Sequence, residues 1–218
     1  MSDVSRETPL APESARGAFP SDRWPLIERF VELLATDGVV RGLIGPREAP
    51  RLWERHVLNC AAVAEAVPSG ATVADLGSGA GLPGLVLAIA RPDLSVTVVE
   101  PLLRRTTFLD EVVADVGLDN VVVRRGRAEE LHGSERFDVV TARALAPLGR
   151  LLGWGLPLVA PGGALLAMKG SSAADEIAAA EKTLRAWRCG APEILTVTAG
   201  DGVSTATLVR VAPTSGRR

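Results

Sequence analysis

Hydrophobic positions along the chain change their period. Between Trp24 and Leu34 they recur at helical spacing, with Leu26, Phe30, Leu33 and Leu34 on one face. Ser21-Asp22 stands where a helix cap belongs. Gly38, Gly42 and Gly45 mark a loop, and a second helix is predicted over about 49–67. There Trp53, Val57, Cys60, Ala61 and Ala64 share a face, and Pro68-Ser69-Gly70 ends the run. From residue 72 the pattern becomes an alternation of short β-branched runs and helical segments. Strands are predicted at 72–76, 95–100, 120–123, 137–141, 164–168, 193–198 and 204–211. Helices are predicted at 85–90, from Pro101 onward with Leu102, Phe108, Leu109 and Val112, at 148–159, and at 173–187. Such alternation makes a parallel sheet covered on both faces, with right-handed crossovers. The last two strands, joined by little more than Ala-Gly-Asp-Gly, form an antiparallel hairpin. The expected fold is therefore α/β, a mostly parallel seven-stranded sheet of Rossmann-like type. The expected divisions are a mobile tail over 1–20, where three prolines and scattered charge give no apolar period, a helical extension over 21–69, and a ligand-binding domain over 70–212.

Composition narrows the classes. The 218 residues are 47% hydrophobic and the mean hydropathy is +0.21. That is enough apolar material for one core without disulfides, and it excludes a wholly disordered chain. Cys60 and Cys189 make neither a disulfide framework nor a structural zinc site, so no metal is expected. Pro83 and Gly84 interrupt the longest apolar stretch, and the N-terminus carries no signal-peptide pattern, so the expectation is a cytoplasmic protein without a membrane span. The net charge of −2 gives no general attraction to nucleic acid; any such role rests on local patches. Only Lys169 and Lys182 are lysines among 24 basic residues. With four Phe, four Trp and no Tyr, an aromatic platform for single-stranded RNA is not evident.

The sharpest motif is Asp75-Leu76-Gly77-Ser78-Gly79-Ala80-Gly81-Leu82-Pro83-Gly84, placed after a predicted strand and opening a predicted helix. Glycines there let the backbone turn sharply and approach a ligand, and a helix N-terminus offers free N–H groups to an anion. A dinucleotide fingerprint wants a third glycine at the sixth position, where this chain has Leu82. The acid two residues before the first glycine fits instead the first motif of S-adenosylmethionine (AdoMet) methyltransferases. Glu100 ends the second strand, where an acid can accept the ribose hydroxyls; NAD proteins share that feature. On the fold argument Gly79 and Glu100 join the cofactor site. Arg127-Ala128-Glu129-Glu130 follows the third strand, where this fold places groups against adenine, and Arg143 follows the fourth. The fourth strand lacks the Asn/Asp-Pro-Pro-aromatic motif of amino-group methyltransferases. No cysteine stands at the end of the fourth or fifth strand, which argues against covalent activation of a pyrimidine.

Several segments taken together resemble one family. Leu52-Trp53-Glu54-Arg55-His56-Val57-Leu58-Asn59, the glycine turn, Arg104-Arg105-Thr106-Thr107-Phe108-Leu109, Arg127-Ala128-Glu129-Glu130, Thr141-Ala142-Arg143-Ala144 and Lys169-Gly170 occur in the order found in the RsmG (GidB) family. The resemblance covers roughly residues 24–210. The Arg-rich, Ala-rich composition and the segment from Val39 to Glu48 resemble actinobacterial members. The Asn-Leu-Thr-like stretch of many members has no match at 38–45. The resemblance implies a class I AdoMet-dependent methyltransferase that modifies N7 of one guanine in the decoding-region loop of 16S rRNA, with 16S rRNA, the 30S subunit or an assembly intermediate as partner. It places Gly77, Leu82, Ala128, Glu129 and Arg143 on AdoMet.

Guanine N7 carries an in-plane lone pair, so the reaction needs alignment and no general base is assigned. RNA-binding candidates are Arg55, His56 and Lys169. If the second helix began at Pro46, Arg47, Arg51 and Arg55 would form a basic stripe. His56 has two readings, a phosphate contact or a core histidine bonded to a backbone carbonyl. His132 is expected at the surface without a partner. Two other functions stay open on the residues alone: an AdoMet methyltransferase for a different substrate, and a non-catalytic nucleotide-binding module.

Overall fold

The computed structural model describes residues 8–200, 202 and 204–214. Seven strands form one sheet in the order β3-β2-β1-β4-β5-β7-β6. They are β1 (Thr72–Leu76), β2 (Ser95–Glu100), β3 (Val121–Arg125), β4 (Phe137–Arg143), β5 (Val159–Lys169), β6 (Glu193–Ala199) and β7 (Ser204–Val211). β1 to β5 pair in parallel, and β7 joins β5 and β6 antiparallel. The chain reverses direction across the sheet at β1, which lies between β2 and β4. That switch point opens a crevice beyond the C-terminal ends of the strands.

Helices cover both faces. α1 (Trp24–Leu33), α2 (a helical run over 49–66 whose α-helical part is Leu58–Ala61), α3 (Gly84–Ala90) and α4 (Leu103–Val116) pack on one side. α5 (Leu148–Gly155), α6 (Ala173–Ala179) and α7 (Glu181–Ala186) pack on the other. Every residue of α3 is buried, as its unbroken apolar sequence requires. α4 is amphipathic; Phe108, Leu109, Val112 and Val116 face inward, and Gly117 at φ 74° ends it in the left-handed conformation.

The structure departs from the pattern reading at several points. Residues 8–20 are packed rather than trailing. Ala15 and Phe19 belong to the same core as α1 and α3, and the Trp53 indole N–H donates to the Pro9 carbonyl at 3.0 Å; the earlier part of the expected tail lies outside the described residues. One continuous core joins residues before and after 70, so the helical extension shares its interior with the sheet. α1 carries no side-chain cap; the residue before it is Arg23, because Ser21 and Asp22 form a short 3-10 turn of their own. The expected helix over 173–187 breaks at Ala180. Pro161-Gly162-Gly163 sits inside β5 as an irregularity in its pairing with β4, because Gly163 runs so close to Asp138 that a side chain there would collide with backbone.

Candidate functional site

The turn after β1 is built from inside outward. Asp75 is fully buried at the end of β1. Its Oδ2 accepts the Ser78 hydroxyl at 2.5 Å and the Gly84 N–H at 2.9 Å, which ties the first residue of α3 back to the strand. Burial pushes the Asp75 carboxyl up to about 6, against the bonds from Ser78 and Gly84 and the charge of Arg143. Gly77, Gly79 and Gly81 all hold positive φ, at 67°, 62° and 93°. A Cβ on Gly84 would stand 2.6 Å from Val98 Cγ1 and 2.8 Å from Asp75 Oδ2, so only glycine fits there.

Two cavities open on this turn, and a third adjoins them beyond the end of β4. The first, about 270 Å³, is mostly apolar and lies among Leu76, Val99, Pro101, Ala128, Leu145 and Trp154. Gly126, Arg127, Glu129 and Gly77 complete its wall. The second, about 340 Å³, shares Gly77 and Leu145 with it and adds Ser78, Gly79, Leu82, Arg105 and Arg143, with Leu43 and Ile44 from the loop after α1. The third is larger, about 1070 Å³, and shares Arg143 and Ala144 with the second. Glu48, Glu54, Arg55, His56 and Asn59 line one side of it, and Lys169 and Glu176 also line it. Residues 143–145 therefore stand at the junction of all three.

The first two cavities suit AdoMet. An apolar slot meets a flat adenine, and the polar cavity over the glycine backbone meets a charged amino-acid end. Of the sequence-predicted cofactor residues, Gly77, Gly79, Leu82, Ala128, Glu129 and Arg143 line these two cavities. Glu100 does not. Its side chain is 1% exposed and faces the turn: Oε2 accepts the Gly79 N–H at 3.1 Å and an Arg105 N–H at 3.3 Å, while Oε1 accepts the Leu102 N–H at 3.1 Å. In this arrangement Glu100 braces the glycine turn instead of opening toward a ribose. Sequence reasoning missed Leu43, Ile44, Leu145 and Trp154, which reach the cavities from distant segments. Only the strand-end position of Leu145, two residues past Arg143, carried a local signal.

On the third cavity, His56 is neither a free phosphate contact nor a carbonyl-bound core residue. Its Nε2 lies 2.9 Å from Glu48 Oε2, and its Nδ1 lies 2.9 Å from Arg143 Nη1. Burial and the Arg143 charge hold the ring below its ordinary 6.5, against the pull of Glu48. The hydrogen bond with His56 in turn lowers the Glu48 carboxyl. Lys169 is nearly buried; its ammonium donates to Glu176 at 2.7 Å and to the Ala146 carbonyl at 2.8 Å, so it holds the loop after β4. Burial raises the Glu176 carboxyl, but Lys169 and the Leu148 N–H outweigh it and leave the group low. Arg55 is half exposed at the rim, with only a long 3.5 Å contact to Glu48. The expected Arg47-Arg51-Arg55 stripe does not form at helical spacing, because the run begins at Ala49 and widens over Leu52–Val57. His132 is half-buried, bonded to the Trp154 carbonyl at 2.9 Å, and so supports a wall of the apolar cavity rather than lying free at the surface. Cys60 is fully buried, its thiol pushed up to about 12, and is no nucleophile.

Comparison with known proteins fits this architecture. The family model described as rRNA small subunit methyltransferase G matches residues 23–199. A ribosomal RNA small subunit methyltransferase G of Nocardioides sp. is 69% identical over 96% of this chain and 84% of its own length. A protein of the same description from Thermobifida fusca is 55% identical over 94% of this chain and 87% of its own. Among solved structures, an SAM-dependent O-methyltransferase of Thermotoga maritima shares the fold at a TM-score of 0.51 and 15% identity, over 72% of this chain and 64% of that one.

Proposed function

The chain belongs to the rRNA small subunit methyltransferase G family, and from that premise we infer that it transfers a methyl group from AdoMet to N7 of a guanine in the decoding-region loop of 16S rRNA. The observation that carries this reading is the junction at Arg143. There the polar AdoMet cavity over the glycine turn, which joins the apolar one at Gly77 and Leu145, meets a third, wide enough for a nucleobase and rimmed by charged groups. When bound, AdoMet would supply an electrophilic methyl group; guanine N7 carries a lone pair that is already free, so no proton need be removed from it.

The chain's own residues then position and shield. Gly77, Gly79 and Leu82 would hold the cofactor's polar end, and Ala128, Glu129, Val99 and Trp154 would hold its adenine. Glu100 keeps the turn in place through the Gly79 N–H. Arg143 cannot act as a base near neutral pH. Its guanidinium can donate to O6 of the target guanine and fix the ring's orientation. The ionised Glu48 lowers the cost of the positive charge that develops on the product guanine. Arg55 at the rim meets RNA phosphate. In this reading the partner is 16S rRNA, free or within a 30S subunit or assembly intermediate, and the compartment is the cytoplasm; no helix among the described residues is long and apolar enough to cross a membrane.

The test is transfer of a labelled methyl from AdoMet to 16S rRNA and to 30S subunits, followed by mapping of the modified base. N7-methylguanine in the decoding-region loop is expected. Modification of another base, or none with either substrate, would overturn the reading.

A further inference from the structure

The geometry points to Glu48 and His56 as positioning residues that hold the Arg143 guanidinium at the junction of the cavities, through a chain in which a neutral imidazole joins the carboxylate to the cation. This rests on the proposed acceptor reading for its rate measurement, but not for its structural one.

The donor and acceptor inventory leaves one arrangement. A guanidinium only donates, so an Arg143 Nη1 N–H donates a hydrogen bond to His56 Nδ1 at 2.9 Å. Nδ1 must then be bare, and the ring proton sits on Nε2, where it donates to Glu48 Oε2 at 2.9 Å. No other protonation state of the ring satisfies both neighbours. While both ring nitrogens are engaged in this way, His56 offers no free lone pair to a substrate proton. With one N–H fixed on His56, the remaining guanidinium donors are free to address the cavities that Arg143 lines. Glu48 reaches this point from the turn before α2, His56 from α2 and Arg143 from the end of β4, so the chain also ties the helical extension to the sheet.

The arrangement is sensitive to protonation. The charged groups facing the ring are Glu48, Arg55 and Arg143; Arg143 also acts on the buried Asp75 and Cys60. Glu54 lines the same cavity, and Lys169 and Glu176 there neutralise each other. A second proton on His56 would turn Nδ1 into a donor aimed at another donor. The contact with Arg143 would break, and two cations would face each other.

Two measurements test this. The chain has only two histidines, so nitrogen-15 spectra of the imidazoles, assigned with His56→Gln, read the ring directly. At pH 7 the His56 ring is expected neutral with its proton on Nε2, titrating below 6.5, and titrating lower still in Glu48→Gln, which removes the anion that favours the charged ring. A proton on Nδ1 or a charged ring at pH 7 would overturn the proposal. In single-turnover transfer to rRNA at saturating AdoMet and pH 7.5, His56→Ala is expected to be at least tenfold slower. His56→Gln, whose amide can accept from Arg143 and donate to Glu48, should return to within about threefold of the parent. The parent should lose rate as pH falls below 6.5, and His56→Gln should not. A His56→Ala protein at full rate, a His56→Gln protein as slow as His56→Ala, or an unchanged acid limb in His56→Gln would each refute it. Failure of the parent protein to methylate rRNA would instead overturn the proposed function, while the imidazole spectra would still decide the positioning chain.

Discussion

Gly84 donates its backbone N–H to Asp75 Oδ2 at 2.9 Å, and the same oxygen receives the Ser78 hydroxyl at 2.5 Å. One buried carboxylate thus closes both ends of the glycine turn, nine residues apart. The other oxygen, Oδ1, has no partner among the described residues.

This buried acid makes stability depend on pH. Its ordinary value of 3.8 rises to about 6 in the folded chain. The folded state therefore binds more protons than the unfolded state between those values, and stability falls as pH rises from about 4 to 6. At about 1.4 kcal/mol per pH unit, the loss is on the order of 3 kcal/mol. Asp75→Asn has no such titration. Urea unfolding should show the parent losing stability relative to Asp75→Asn between pH 4 and pH 7. A difference that stays constant with pH would contradict the assignment.

Gly77 adopts φ 67° directly under the Leu145 side chain. Gly77→Val should strain the turn by about 1–3 kcal/mol and crowd the wall shared by the two AdoMet cavities. Calorimetry is expected to show at least a hundredfold loss of AdoMet affinity in a protein that keeps its far-UV circular dichroism. Parent-like affinity in the folded variant would remove Gly77 from the cofactor site.

Arg143→Lys keeps a positive charge but loses the planar fork. An ammonium can still donate to His56 Nδ1, yet it cannot also present a second fixed N–H to the cavity. Single-turnover methyl transfer should fall by tenfold or more, with no new basic limb in the pH–rate profile. A new ionisation above pH 7 would show that a titrating base takes part, and the base-free mechanism would have to be abandoned.

Arg55 and Lys169 should separate cleanly. Arg55→Ala removes a half-exposed rim charge, so it should weaken rRNA binding and lower the slope of log K against log salt by about one, with little effect on melting. Lys169→Ala leaves Glu176 without its cation in a nearly buried pair and should destabilise the fold by on the order of 2 kcal/mol. Filter binding across a salt series and thermal melts of both variants decide the matter; a destabilised Arg55→Ala, or a Lys169→Ala that melts like the parent, would reverse the roles.

Much of the molecule follows from local pattern. The strand order of hydrophobic runs, the crossover helices, the C-terminal hairpin and the ligand-binding turn all rest on period, glycine placement and short loops, which act within a few residues. The turn at Gly77–Gly84 was legible because its backbone geometry demands glycine wherever the fold places it. What the sequence did not reveal depends on segments that meet only after folding. Residues 8–20 carry too few apolar groups to declare themselves, but Ala15 and Phe19 find a core already made by α1 and α3. Glu100 stands at the strand end where an acid can face a ribose, yet Arg105 and the Gly79 N–H turn it beneath the loop. His56 and Arg143 are 87 positions apart, and neither motif predicts the other. Their contact exists because the helical run over 49–66 brings His56 to Arg143 at the C-terminal end of β4, and Glu48 then selects the ring's proton. Periodicity specifies which face of each element is buried; the partners of a buried charge are chosen only where those faces meet.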